Sequence, residues 1–483
     1  MLPTERFAKN RNIILSVIFV GTLMGAVDST IVLLAFPTIT AKLHSNFITA
    51  LWVILAYLLV LAVTTTQFGR MGDLYGRSKM FNLGFMIFTF GSILCGFSTT
   101  ISLLIGFRIL QAVGGSLIQS NSSAIISDVF PREIRGRAFG FNALGFTVGA
   151  ILGIVLGGII TTFVGWQYIF FINAPIGIIA IIIGLKYLQD TYRSVAKIDI
   201  VGMLIFGGAL GILSYGATSY AASGITFDNS FEMAVGAVLI LVFLVYDHSR
   251  KYPMIDFPSF KNKVLRNSVT ALFFTSLGYL AVIFLVIMYL QGIRALSPLN
   301  ASLLLVPGYV AGSFLSPLMG RLSDKYGTRN LTTLGAVFLV IATLVFLSIK
   351  VDSPLTIIIV ASAITGVGTS MFFPANFNAV MSNAKPGAYG SLSGLLRTIQ
   401  NVGLLGSFIL AISVASATIP RGIAFQVFIG TTNLSGGVSK QFLAGIDAAF
   451  VSSILLLLVA ATLSYLGGKD NWRQVRSKNK ATG

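Results

Sequence analysis

The chain has 483 residues, 55% hydrophobic and 10% charged, with a formal net charge of +18. Together with a mean hydropathy of +0.88, this excludes a soluble globular domain. The single cysteine, Cys95, excludes an intramolecular disulfide and a cysteine-based metal or redox cluster, and the two histidines, His44 and His248, fall in predicted loops on opposite sides.

Apolar stretches recur along the whole length, and a helix needs about twenty such residues to cross the hydrocarbon core. In chain order, spans are predicted at 12–40, 46–69, 79–97, 100–127, 137–163 and 166–188. Two more follow at 199–221 and 229–247, then six at 266–291, 297–321, 329–349, 354–380, 388–416 and 443–467. The first span follows Arg6, Lys9 and Arg11 as a signal peptide would. It is too long, carries Asp28 and lacks a small-residue cleavage site, so it reads as a retained helix. Of the 33 Lys and Arg residues, 26 fall on the side of the N-terminus, five on the other, and Arg108 and Arg397 lie within spans. This positive-inside asymmetry predicts a multi-pass protein of the cell membrane with both termini cytoplasmic. The basic charge then follows topology and lipid headgroups, and nucleic acid is not expected as a partner.

Two segments repeat. Gly69-Arg70-Met71-Gly72-Asp73-Leu74-Tyr75-Gly76-Arg77 returns as Gly320-Arg321-Leu322-Ser323-Asp324-Lys325-Tyr326-Gly327-Thr328-Arg329, 251 residues later. The end of the fourth span, Asn121-Ser122-Ser123-Ala124, is echoed by Asn376-Phe377-Asn378-Ala379 at an offset of 255. Spans 1–6 and 9–14 are therefore copies and spans 7–8 an inserted pair. The expected fold is an all-α polytopic membrane protein of fourteen helices in a 6+2+6 plan. Its parts are an N-terminal half at 1–190, an inserted pair at 191–250, a cytoplasmic linker at 251–265 and a C-terminal half at 266–483. The external loop at 418–442 mixes apolar residues with Gly and Thr, as a short interfacial amphipathic piece would.

Intramembrane ionisable residues are functional candidates because each is costly in lipid. Asp28 lies roughly 24 Å from the cytoplasmic end of span 1, and Arg108 roughly 12 Å from the external end of span 4. Both therefore sit in the outer half, where they form either a proton-coupling pair or a static one that fixes helices 1 and 4. Arg397 is placed near mid-depth of span 13, as a counter-charge or a site for an anionic group; Asp447 lies near the external end of span 14. Gln119, Asn121, Ser122, Asn376 and Asn378 are substrate-cavity candidates, with interhelical hydrogen bonding as the alternative. Gly145, Gly149, Gly153 and Gly157 recur every four residues and make one smooth face for close helix packing.

The repeated phrase resembles the signature loop between helices 2 and 3 of the major facilitator superfamily. The resemblance implies a cytoplasmic gate formed by Gly69, Asp73, Gly76, Arg77 and Asp128, with Gly320, Asp324, Gly327 and Arg329 in the second copy. Asp28-Ser29-Thr30-Ile31-Val32, Arg108-Ile109-Leu110-Gln111 and Trp166-Gln167-Tyr168 resemble signatures of that family's fourteen-helix drug:proton antiporter branch. Two departures stand out: Ile154 replaces the proline of the helix 5 signature, and Gln167 replaces an Arg. The resemblance implies a monomeric secondary transporter, exporting hydrophobic or amphipathic compounds, neutral or cationic, in exchange for protons. A metabolite, lipid or sugar carried by symport or uniport is the alternative. Protons and a small-molecule substrate are the expected partners, with no cofactor and no metal. No nucleophile–base set or nucleotide-binding phrase supports an enzyme or an ATP-driven pump.

Overall fold

In a bilayer every backbone N–H and C=O must be satisfied within the chain, so long apolar runs become helices. The computed structural model has fourteen helical spans long and apolar enough to cross a membrane and, among the described residues, no strand. The structure describes residues 3–130, 132–190, 198–250, 253–255, 260–383, 389–418 and 437–467.

The first six spans are α1 (Pro3–Lys42), α2 (Phe47–Tyr75), α3 (Arg77–Gly96), α4 (Ile101–Val129), α5 (Arg132–Phe163) and the broken pair α6 (Tyr168–Phe171) and α7 (Asn173–Tyr187). Next come α8 (Ile200–Ser223) and α9 (Phe227–His248). The last six are α10 (Lys263–Met288), α11 (Pro298–Tyr326), α12 (Thr328–Leu347), α13 (Thr356–Ser382), α14 (Tyr389–Thr418) and α15 (Gly437–Leu466). Side-chain caps start many of them: Asn46 accepts from Thr49 N, Asp199 from Gly202 N, and Thr226 with Asn229 forms a capping box. With an even number of spans, α1 begins and α15 ends at one face of the bundle, the proximal face; the opposite face is distal.

The two sets of six pack alike. The pairs α1–α5, α2–α4 and α3–α4 of the first are matched by α10–α14, α11–α13 and α12–α13 of the second. The glycine stripe of α5 lies on α1: a Cβ on Gly145 would press on Phe19, on Gly149 and Gly153 on the backbone oxygens of Leu23 and Val27, and on Gly157 on Ile31. Helices α8 and α9 pack on each other, and α8 leans on the two halves, touching α2 and α14. The halves meet along α2–α14 and α5–α11.

Three local features differ from the sequence expectation. The repeated phrase was expected as a loop, yet Gly69–Tyr75 forms the last turns of α2 and Gly320–Tyr326 those of α11. Only Gly76 and Gly327 break the helices, at φ of +109° and +91°, a region that glycine enters without a Cβ penalty. The sixth span is broken at Ile172, where Pro175 supplies no N–H to the preceding turn. The 418–442 loop lies outside the described residues over 419–436, and from Gly437 it is already α15.

The distal ends of the halves are closed on each other. On α1 every residue from Thr30 to Phe36 is buried, and on α10 and the π-helical turn after it every residue from Ala281 to Leu290. Phe284 is the hub: its ring centroid lies 5.4 Å from that of Phe36, 6.4 Å from Phe47 and 5.2 Å from Phe408. Gln291 Nε2 donates to Leu34 O at 3.0 Å, and Leu299 N to Thr162 Oγ1 at 3.2 Å. Nearer the proximal face the packing opens. Ser29, on the α1 face that carries Phe36 seven residues later, is exposed, and a Cβ on Gly25 would meet no atom within 4 Å. The inter-half space is thus sealed distally by aromatic rings and accessible below them.

Candidate functional site

Asp28, Arg108 and Gln111 form a closed hydrogen-bonded ring. Arg108 Nη1 donates to Asp28 Oδ2 at 2.6 Å and to Gln111 Oε1 at 2.7 Å, while Gln111 Nε2 donates to Asp28 Oδ1 at 2.8 Å. Arg108 Nε reaches Val53 O on α2 at 3.2 Å, and the guanidinium lies 4.0 Å from the centroid of the Tyr57 ring, within cation–π range. Cys95 Sγ completes the shell 3.8 Å from Gln111 Oε1. Helix α3 comes close enough because Gly91 has no side chain; a Cβ there would lie 2.7 Å from Gln111 N.

Asp28 is 0% exposed and Arg108 2% exposed, so the pair is sealed from both faces. Burying either charge alone is prohibitive, and the pair persists because the second carboxylate oxygen and further guanidinium donors are also bonded, to Gln111 and Val53. The ring spans α1 and α4, and the Arg108–Val53 bond ties α2 to it, so the ring opens when α1 moves against α4. Sequence reasoning placed Asp28 and Arg108 at matching depth but overlooked Gln111 and Tyr57. The spacing of Arg108 and Gln111, three residues apart on one helix face, was the available signal.

The cavity candidates separate into two groups. Gln119 and Arg397 face the inter-half space, and Gln119 Oε1 accepts from Asn401 Nδ2 of the other half at 3.3 Å. The remaining four bind the backbone of their own helix or groups of a neighbouring one instead. Asn121, buried where Gly72 leaves room for it, donates to Leu117 O at 2.9 Å and Phe68 O at 3.4 Å. Ser122 donates to Ile118 O, Asn376 to Ser268 O and Asn378 to Ser323 Oγ. A short polar side chain beside a helix backbone satisfies itself locally, which is why these do not project into the cavity. Arg397 is also lower than mid-depth. Its neighbour Thr398 bonds Thr66 at 2.7 Å, one residue before Gln67, which meets the N-cap of α8.

At the proximal face Arg77 bridges Asp73 at 2.6 Å and Asp128 at 2.7 Å, tying the ends of α2, α3 and α4 within the first half. Asp190, which the sequence did not single out, caps α3 by accepting from Ser78 N at 2.7 Å. Gly69 and Gly320 lie in ordinary contact with Ser120 and Pro374. In the second copy Arg329 stands one residue later than Arg77 relative to the repeat, about 100° around the helix. It stacks 4.2 Å from the centroid of the Tyr465 ring on α15. The offset of 255 puts Asn383 where Asp128 stands, so the second copy does not reproduce the Arg77–Asp128 bridge. The side chain of Asp324 lies outside the described residues.

Gly76 is the tightest point of this cluster, since a Cβ would run into the Asp190 carboxylate. Gly76→Ala is expected to destabilise the protein by about 1–3 kcal/mol through the strained φ and the displaced cap. Thermal unfolding in detergent measures it, and an unchanged midpoint would dismiss the Asp190 cap as incidental.

The fold and site define a polytopic helical membrane protein of two similarly packed six-helix halves, with a buried ion pair in one and a space between them open toward one face. Residues 18–408 match the family model of the Major Facilitator Superfamily, and the chain belongs to that superfamily. It is 31% identical over 467 residues to Riboflavin transporter RibZ of Clostridioides difficile (strain 630), covering 95% of this chain and 96% of that protein. It is 28% identical to Multidrug resistance protein 3 of Bacillus subtilis (strain 168), covering 83% of this chain and 78% of that one. In fold it is similar to a bacterial homologue of the human lysosomal transporter Spinster, with a TM-score of 0.64 at 18% identity over 97% of each chain.

Proposed function

We propose that the chain is a proton-driven exporter of hydrophobic or amphipathic compounds, a member of the fourteen-helix drug:proton antiporter branch, working as a monomer by alternating access in the cell membrane. The observation that carries this reading is the sealed Asp28–Arg108–Gln111 ring, a neutral unit shared by α1 and α4 of one half. The positive-inside asymmetry makes the proximal face cytoplasmic, so cargo enters from the cytoplasm while the aromatic seal is closed. Opening the distal side shifts α1 against α4 and parts the ring. An unpaired carboxylate in a low-dielectric site is costly, so Asp28 takes up a proton from outside at that moment. Return to the distal-closed state restores the pair and releases the proton inward, coupling one inward proton to one outward cargo.

The sequence expectation of neutral or cationic cargo made Asp28 the attracting group. Asp28 is sealed in this state, so the charge of the cargo is set by the residues that do line the space. A specific observation favours a second reading, uptake or uniport of a metabolite. Ile154 stands at the proline position and is fully buried within the unbroken α5, and one relative is named a riboflavin transporter.

The test is transport by the purified protein in proteoliposomes under imposed pH gradients, with a panel of amphipathic dyes and riboflavin. Dye movement is expected to run opposite to the proton gradient and to stop when a protonophore collapses it. Movement indifferent to the gradient would sink antiport, and riboflavin moving with protons would establish the second reading.

A further inference from the structure

The proximal part of the inter-half space holds a positive charge that the fold does not answer. Arg397, Asn401 and Phe408 lie on one face of α14, at spacings of four and seven residues. Asn401 bonds Gln119 of the first half and Phe408 belongs to the distal seal, so Arg397 opens onto the same space. Its guanidinium lies 5.4 Å from the centroid of the Phe377 ring on α13. Its only side-chain hydrogen bond among the described residues is a long one, Nη1 to Gln400 Oε1 at 3.4 Å. The three ion pairs of the described residues engage Arg77 with Asp73 and Asp128, and Arg108 with Asp28; none reaches Arg397. A half-buried guanidinium therefore keeps most of its five donors unused. In a membrane span such a group ordinarily has a partner.

We propose that Arg397 receives the anionic group of an amphipathic organic anion, a carboxylate or sulfonate. The planar guanidinium offers such a group two parallel donors, a geometry an ammonium lacks. Gln400 stands beside it and the Phe377 ring supports the guanidinium. The apolar body lies along α14 toward the aromatic seal. Eleven residues separate Arg397 from Phe408, roughly 16 Å of helical rise, room for two or three fused rings. That this anion is cargo rests on the transport reading above; the site itself is tested by binding alone.

Equilibrium dialysis of the purified full-length protein in detergent, with protein-free micelles as the blank, would use three matched probes. These are dansylglycine, its neutral carboxamide and a dansyl trimethylammonium cation. The wild type is expected to bind dansylglycine about ten- to a hundredfold more tightly than the carboxamide. Arg397→Gln brings the two affinities together, and Arg397→Lys keeps part of the preference. A wild type that binds the carboxamide or the cation as tightly as the anion, or does not bind the anion, overturns the site, as does an Arg397→Gln protein that keeps the preference. Gel filtration identifies a variant that has not folded, and the wild-type ranking decides without it. Anion preference without any gradient-driven transport removes the exporter reading and leaves the site; gradient-driven transport without anion preference does the reverse.

Discussion

Arg108→Leu is expected to destabilise the protein by about 3–5 kcal/mol, the loss seen when one partner of a buried ion pair is removed. The variant strands the charged Asp28 carboxylate, which loses its 2.6 Å bond from Arg108, and leaves Gln111 Oε1 with only the weak Cys95 thiol; Val53 O keeps its own helical bond in α2. Leucine also vacates the space over the Tyr57 ring. Asp28→Asn is also expected to destabilise, because it leaves the buried Arg108 charge without its counter-charge, though the amide keeps the shape and one acceptor; it deletes the group proposed to take the proton. Transport by that variant should become indifferent to the pH gradient while binding of an amphipathic dye persists. The double variant Asp28→Asn, Arg108→Leu separates structure from coupling. Without a stranded carboxylate it should regain stability relative to Arg108→Leu alone, yet still not respond to the gradient. Thermal unfolding in detergent and gradient-driven flux in proteoliposomes are the two measurements. Single variants whose stability losses simply add would show that the pair is not coupled, and gradient-driven transport by Asp28→Asn would end its assignment as the proton carrier.

Much of this architecture was legible in the chain because lipid leaves few options. Apolar run length determines the number of spans, and the two internal echoes reveal the duplication before any contact is known. The positions of Asp28 and Arg108 were readable for the same reason: helical rise converts residue number into depth, and two opposite charges at one depth find each other. Rotation was not readable. Whether Asn121 points into a cavity or into the notch left by Gly72 depends on the azimuth of α4 against α2, which a 3.6-residue period does not determine in a helix apolar on most sides. The same limit hid Gln111, whose amide closes the ionic ring, and the one-residue shift that turns Arg329 toward Tyr465. Glycine was informative only in company. Four on one face of α5 predicted close packing, and the glycines of the repeated phrase predicted a tight reversal, whereas that Gly76 rather than Gly69 or Gly72 makes it depends on a φ that the sequence does not reveal. The aromatic seal was the least legible, since Phe36, Phe47, Phe284 and Phe408 come from four helices and are four of 38 phenylalanines.

That seal sets the second large expectation. Phe284 is fully buried, and replacing such a ring with alanine in a packed core costs about 3–5 kcal/mol. For Phe284 the cost is not shared equally between states. Its contacts with Phe36 and Phe47 cross from one half to the other and exist only while the distal side is closed, whereas its contact with Phe408 stays within its own half. Phe284→Ala therefore raises the distal-closed state relative to the distal-open one, and each ~1.4 kcal/mol of that difference is a tenfold change in their ratio. Ser29→Cys reads the ratio directly. Its thiol lies in the open part of the inter-half space, and the only other thiol, Cys95, is buried and silent. With the distal side closed, a hydrophilic maleimide supplied from the proximal face should label position 29 readily. Adding Phe284→Ala should slow that labelling about tenfold or more and speed labelling from the distal face. Phe346→Ala is the control: Phe346 is equally buried and pairs with Phe450 at 6.2 Å inside a single half. It should cost comparable stability and leave the labelling ratio where it was. If both variants leave the ratio unchanged, the four rings are ordinary core packing; if Phe284→Ala alone moves it, they are the gate through which cargo leaves.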